Sequence, residues 1–110
     1  MPRSPADIPP GTLEMLILQM LRRGPLHGYA IAQRIHLISE EVLHVEEGSL
    51  YPALQRVLIK AWATAEWTRS DTGRRVRLYK LTRAGRKQLE SEISEFDRVT
   101  KALYKVIEAS

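Results

Sequence analysis

The 110-residue chain contains no cysteine, which excludes disulfides, thiolate metal sites and cysteine nucleophiles and suits a reducing compartment. The N-terminal stretch "MPRSPADIPPG" lacks the apolar core of a secretory signal, and no later apolar run is long enough to span a bilayer. A soluble cytoplasmic protein is therefore expected. Catalytic signatures are missing as well. "EGSLYP" is not a G-x-S-x-G nucleophile elbow, and neither G-x-G-x-x-G, a Walker loop nor H-E-x-x-H occurs. His27, His36 and His44 are the only histidines, and their spacing relative to Glu40, Glu41 and Glu47 matches no closed metal site. No enzyme activity, metal or cofactor is implied. The length favours one domain around one modest core.

What is present is positive charge, unevenly placed. Residues 1–61 carry six basic and six acidic side chains, whereas residues 62–110 carry eleven and seven, so the whole net charge of +4 arises in the second part. There Arg69, Arg74, Arg75, Arg77, Lys80, Arg83, Arg86 and Lys87 stand against Asp71 alone. Such a block points to a polyanionic partner, with a solvated surface as the plain alternative.

Residues 1–11 are proline-rich and aperiodic, which reads as a flexible arm. From Thr12, a candidate N-cap, Leu13, Leu16, Ile17, Met20 and Leu21 recur at helical spacing. Met15 and Leu18 widen that stripe until the helix is apolar over most of its circumference, which predicts burial partly against a second subunit. "RRGPLHG" breaks it. A second helix runs from Gly28 to about Ser39 with Ile31, Ile35 and Ile38 inward. A third starts at "GSLYPALQR", placing Ser49, Tyr51 and Pro52 in its opening turn; Leu50, Leu54, Val57 and Leu58 face inward and Ala53 outward. Three such helices suggest a helix-turn-helix. "WATAEWT", "SDTG" and "VRLYKL" then read as strand, turn and strand, a hairpin with Arg74 and Arg75 at its tip. Thr82 caps a final helix whose Leu89, Ile93, Phe96, Thr100, Leu103 and Ile107 alternate at spacings of four and three.

The expected fold is mainly α with a small β-hairpin: a winged helix-turn-helix over 12–82 and a dimerisation helix over 83–110. In that plan one helix enters the DNA major groove and the hairpin reaches the flanking backbone. The start of the third helix offers amide donors and a positive dipole end to phosphate, Ser49 and Tyr51 add hydroxyls, and Pro52 stiffens the turn. Gln55 can pair bidentately with adenine, and Arg56 can reach a base or a phosphate. Lys60, Arg74, Arg75 and Arg77 complete the expected DNA-binding set, the wing arginines acting on backbone or minor groove. Arg83, Arg86 and Lys87 oppose the dipole of the last helix, a cost that phosphate contact or an Arg86–Glu90 pair would offset. The expected dimer contacts are the seam of the last helix together with Leu13 and Ile17. A winged-helix protein-interaction module without DNA binding is the alternative.

The segments "GTLEMLILQMLRRGPLHGYAIAQRI", "EEGSLYPALQR", "AEW" and "GRRVRLYKLTRAGRKQLE" together resemble the PadR family of bacterial winged-helix transcriptional regulators, over nearly all of residues 11–105. The resemblance implies a homodimeric repressor of the compact branch with a single C-terminal helix. It also implies that Tyr29, Ser49, Tyr51 and the wing arginines lie at or near double-stranded DNA. Some members of that family bind planar aromatic effectors at the dimer interface, which makes Met15, Met20, Phe96 and Tyr104 the candidate lining; ordinary packing accounts for the same four. One departure stands out: Leu58, Ile59 and Ala61 replace the charged stretch and glycine usual after the recognition helix, and alanine is uncomfortable at a left-handed helix end.

Overall fold

The computed structural model describes residues 8, 9 and 11–109; the rest of the expected arm, residues 1–7 and 10, lies outside the described residues. Four helices and three strands follow in the order α1 (Thr12–Leu21), β1 (Leu26–His27), α2 (Gly28–Ile38), α3 (Glu47–Ile59), β2 (Ala63–Arg69), β3 (Arg75–Leu81) and α4 (Arg83–Glu108). The sheet is antiparallel in the order β1-β3-β2. It therefore has one strand more than the expected hairpin: Leu26 and His27, read as part of a break, pair with Tyr79 and Leu78. Two residues carry no alternation that could announce a strand, and their partners lie fifty positions away.

Helix α1 is the centre of the core. Leu13, Met15, Ile17, Leu18 and Leu21 are buried, because α2, α3, α4 and β3 all pack around the helix. Most of the apolar circumference is thus covered within the chain, while Leu16 and Met20 are only half-buried. Thr12 does not cap α1. The cap is Gly11, in the left-handed region at φ 81°, and the Thr12 amide donates to the Pro9 carbonyl. Ile8 packs against the core, so this part of the arm is seated.

Helix α2 buries Ile31 and Ile35 but leaves Ile38 exposed, since the helix ends there. Helix α3 buries Leu50, Leu54 and Val57 as expected, and Ala53 too, because its small side chain admits close packing. It starts earlier than expected, at Glu47, with the Ser49 and Leu50 amides donating to the Glu46 carbonyl. Pro52 consequently lies inside the helix and not in its first turn. Having no amide hydrogen, it leaves the Gly48 carbonyl without its intrahelical donor.

The end of α3 sets the corner into the wing. The Ala61 amide donates to the Leu58 carbonyl and the Trp62 amide to the Val57 carbonyl, which forces Ala61 to φ 59°. This is the left-handed helix end that favours glycine. The wing turn places Gly73 at φ 80°, and the Ser70 amide donates to the Arg74 carbonyl. Thr82 caps α4 as expected, its hydroxyl accepting from the Gly85 amide.

Only the first two turns of α4 are covered. Gly85 and Leu89 are buried, whereas Ile93, Phe96, Val99, Leu103, Val106 and Ile107 are exposed. The helix is about 39 Å long at 1.5 Å per residue, and with it the molecule extends 58 Å along its longest axis. Among the described residues, no helix is long and apolar enough to cross a membrane.

Relieving the strain at Ala61 gives a direct test of this corner. Ala61→Gly is expected to raise stability by about 1 kcal/mol, despite the greater freedom of glycine in the unfolded chain. Urea and thermal unfolding at one fixed protein concentration measure the gain.

Candidate nucleic-acid interface

The wing and the helices meet in a cleft of about 430 Å³. Strand alternation puts Arg75, Arg77 and Tyr79 on one face of β3, and the register sets Trp67 of β2 directly opposite Arg77. The guanidinium carbons of Arg75 and Arg77 lie 4.7 and 5.6 Å from the Trp67 ring centroid, and that of Arg77 lies 5.9 Å from the Tyr79 ring. Across the cleft stand Tyr51 and Gln55, one turn apart on α3, and Tyr29 at the start of α2. Gly28 allows that approach: a Cβ there would meet Leu54 Cδ1 at 3.2 Å and Tyr51 Cε1 at 3.6 Å. Among the described residues, no acidic side chain lines the cleft. His27 Nδ1 and Arg77 Nε are buried without a hydrogen-bond partner. Burial pushes the Tyr79 phenol above its ordinary pKa, against the opposing pull of Arg77, so it stays neutral.

The other exposed side of α3 has different chemistry. Ser49, Pro52 and Arg56 line a second cleft, of about 400 Å³, with Glu14, His44 and Glu46. Arg56 is half-exposed and paired there, its Nε donating to Glu14 Oε1 at 2.5 Å. Burial alone would raise the Glu14 pKa, but the hydrogen bond from Arg56 and the charges of Arg56 and Lys60 outweigh it and hold the carboxyl below its usual range. Two carboxylates beside Ser49 make this flank poor for phosphate. Glu46 and Glu47 sit at the start of α3, with Glu46 on that acidic side. Lys60 lies at the far end of α3 with its ammonium 4.7 Å from the Trp62 ring, and Arg74 is exposed on the wing turn.

The expected contact residues for a second copy divide by burial. Leu13, Ile17 and Leu89 are sealed in the chain's own core, which withdraws them from that set. Ile93, Phe96, Leu103 and Ile107 are exposed, and Thr100 is half-buried. Met15 is likewise core and cannot line an effector site, Met20 is half-buried, and Phe96 and Tyr104 are exposed on α4. Arg86 makes no ion pair with Glu90 among the described residues; the ion pairs there are Arg56–Glu14, Arg98–Glu95 and Lys101–Asp97.

A profile of the Transcriptional regulator PadR-like family matches residues 17–91, which span α1 from Ile17, the whole wing and the start of α4. The chain belongs to the PadR-like family. Membership places it among transcriptional regulators and not enzymes. A PadR family transcription regulator from Clostridium difficile R20291 shares this fold at TM-score 0.75 and 27% identity, covering 88% of this chain and 99% of that one. PadR of Bacillus subtilis in complex with operator DNA is similar at TM-score 0.68 and 26% identity, over 77% of this chain and 48% of that one. An uncharacterized 37.1 kDa protein in transposon TN4556 of Streptomyces fradiae is 40% identical over 87 residues, and the chain spans about a quarter (24%) of its length.

Within this PadR-like chain, Tyr29, Tyr51, Gln55, Arg75 and Arg77 come together as a set, whereas Ser49, Pro52, Arg56, Lys60 and Arg74 do not join it. Sequence reasoning missed Trp67 and Glu14. A hairpin centred on Thr72 already pairs position 67 with 77, so Trp67 was within reach of a register argument. Glu14 lies 42 positions from Arg56, beyond any local pattern.

The Glu14 carboxyl has a lower pKa folded than unfolded, so its stabilisation is complete above the ordinary carboxylate range and is lost as pH falls through the folded value. Glu14→Gln is therefore expected to cost about 1 kcal/mol at neutral pH, allowing for solvent screening at half-exposed Arg56. The gap to wild type should narrow between neutral pH and an acid pH below the ordinary carboxylate range. Urea unfolding of both chains at the two pH values checks this.

Proposed function

We propose that this PadR-like chain is a cytoplasmic, homodimeric repressor that binds a roughly palindromic operator. The observation that carries the reading is the cleft in which Tyr51 and Gln55 of α3, Tyr29 of α2 and the wing arginines converge with no acid among them. Helix α3 is the recognition helix, Gln55 pairing with a base edge and Tyr29 and Tyr51 donating to phosphate. Arg75 and Arg77 supply sequence-independent affinity from the wing. The Bacillus subtilis relative in complex with operator DNA supports this assignment.

The uncovered face of α4 supports dimerisation. An apolar stripe from Ile93 to Ile107 that the chain itself leaves open is the kind of surface a second copy covers. Two-fold symmetry would then set half-sites about one helical turn, roughly 34 to 36 Å, apart. Phe96 and Tyr104 on that face are where a flat aromatic effector would be held between two copies.

Selection of bound duplexes from a random pool, followed by footprinting of the recovered sequence, tests the function and the half-site spacing together. Tyr51→Phe and Arg75→Ala are each expected to weaken binding while leaving the fold intact, and Arg75→Ala should lower the salt slope by about one. Unchanged affinity in both variants would remove the assigned DNA face. Binding that is indifferent to salt would favour a protein-interaction module instead, since releasing counterions from several phosphates makes DNA affinity fall steeply as salt rises. Leu103→Asp should convert a dimer to a monomer in light scattering, and a dimer that persists would reject the α4 seam.

A further inference from the structure

We propose that Trp67 is a positioning residue of the DNA face: its indole holds Arg75 and Arg77 extended toward the cleft while leaving their charges uncancelled. The inference rests on the DNA-binding reading above. Trp67 is 57% exposed, so it is not there to fill the core. Both guanidiniums instead lie within 6 Å of its ring, with Arg77 directly across the ladder and Arg75 on the diagonal.

Long arginine side chains lose rotamer freedom when they bind, which weakens affinity unless something orders them beforehand. Proteins commonly order an arginine with a carboxylate. Here no such anchor exists: among the described residues neither Arg75 nor Arg77 forms a salt bridge. Arg77 Nε is buried with no hydrogen-bond partner among the described residues. Glu66, the nearest acid along β2, pairs with Leu78 and so belongs to the opposite face of the hairpin. The Trp67 ring is the contact that both side chains share, Arg77 also meeting Tyr79. A carboxylate in its place would also restrain them, but it would neutralise the charge that phosphate requires. Arg56, clamped to Glu14 on the far side of α3, shows the contrast within the same molecule.

The test compares wild type, Trp67→Ala and Trp67→Phe, with Arg75→Ala as reference, by fluorescence anisotropy across a salt series. The probe is the duplex that wild type selects from the random pool. Trp67→Ala is expected to weaken binding about tenfold through loss of two cation–π contacts. The slope of log affinity against log salt should stay as in wild type, because both charges remain, whereas Arg75→Ala should reduce it by about one. Trp67→Phe should restore most of the affinity. In the free protein, NMR should show the Arg75 and Arg77 side-chain resonances losing their ring-current shifts in Trp67→Ala. Equal binding by Trp67→Ala and wild type overturns the proposal. So does failure of phenylalanine to rescue, which would make the indole itself the DNA contact. A wild-type chain that selects no duplex overturns the DNA-face reading instead, and the role of Trp67 on that face with it.

Discussion

The Thr82 hydroxyl donates to the Ala61 carbonyl and accepts from the Gly85 amide, while the Thr82 amide donates to the Trp62 carbonyl. Three elements are tied at this point: the end of α3, the open end of the wing hairpin and the start of α4. Gly85 lets them close, since a Cβ there would lie 1.9 Å from the Trp62 carbonyl oxygen. The face that carries Tyr51, Gln55 and the wing arginines is thereby held at a fixed angle to the helix that exposes an apolar stripe. Under the dimeric reading proposed above, that angle would set the distance between two copies of α3 and so the half-site spacing. The left-handed backbone of Ala61 is local strain tolerated to form this corner.

Charge is organised around α3 with opposite sense on its two sides. Toward the wing, aromatic rings order cations and no carboxylate intervenes. Toward α1, Glu14 and Glu46 line the groove and Arg56 is paired. Under the DNA-binding reading proposed above, this asymmetry would orient a duplex laid along the helix as well as attract it. The Glu14–Arg56 pair has a mechanical role too, because it joins the last turn of α3 to α1, the helix on which the core is built.

The arrangement divides labour between stiffness and exposure. Among the described residues, everything buried belongs to α1, the inner faces of α2 and α3, Val45 in the loop between them, the base of the sheet and the first two turns of α4. What stays open is chemically sorted: a basic and aromatic cleft at one end, an apolar helical stripe at the other. A chain of this size has too little core to enclose a 26-residue helix, and projecting it is the consequence.

Local pattern was enough for much of this. Helical spacing located all four helices, alternation located the two long strands, and the Ser-Asp-Thr-Gly turn located the wing tip, because each of these signals is carried by neighbouring residues. The cap at Thr82 and the awkwardness of Ala61 were legible for the same reason. Together with the uneven charge, these features determined a winged helix with a basic hairpin. The third dimension decided the rest. Burial of α1 by four surrounding elements, strand β1, the Glu14–Arg56 pair and the stacking of two arginines on Trp67 all depend on contacts between distant positions. So does the split of α3 into a wing side and an acidic side. A helical pattern says which residues share a face, but only packing says what that face meets.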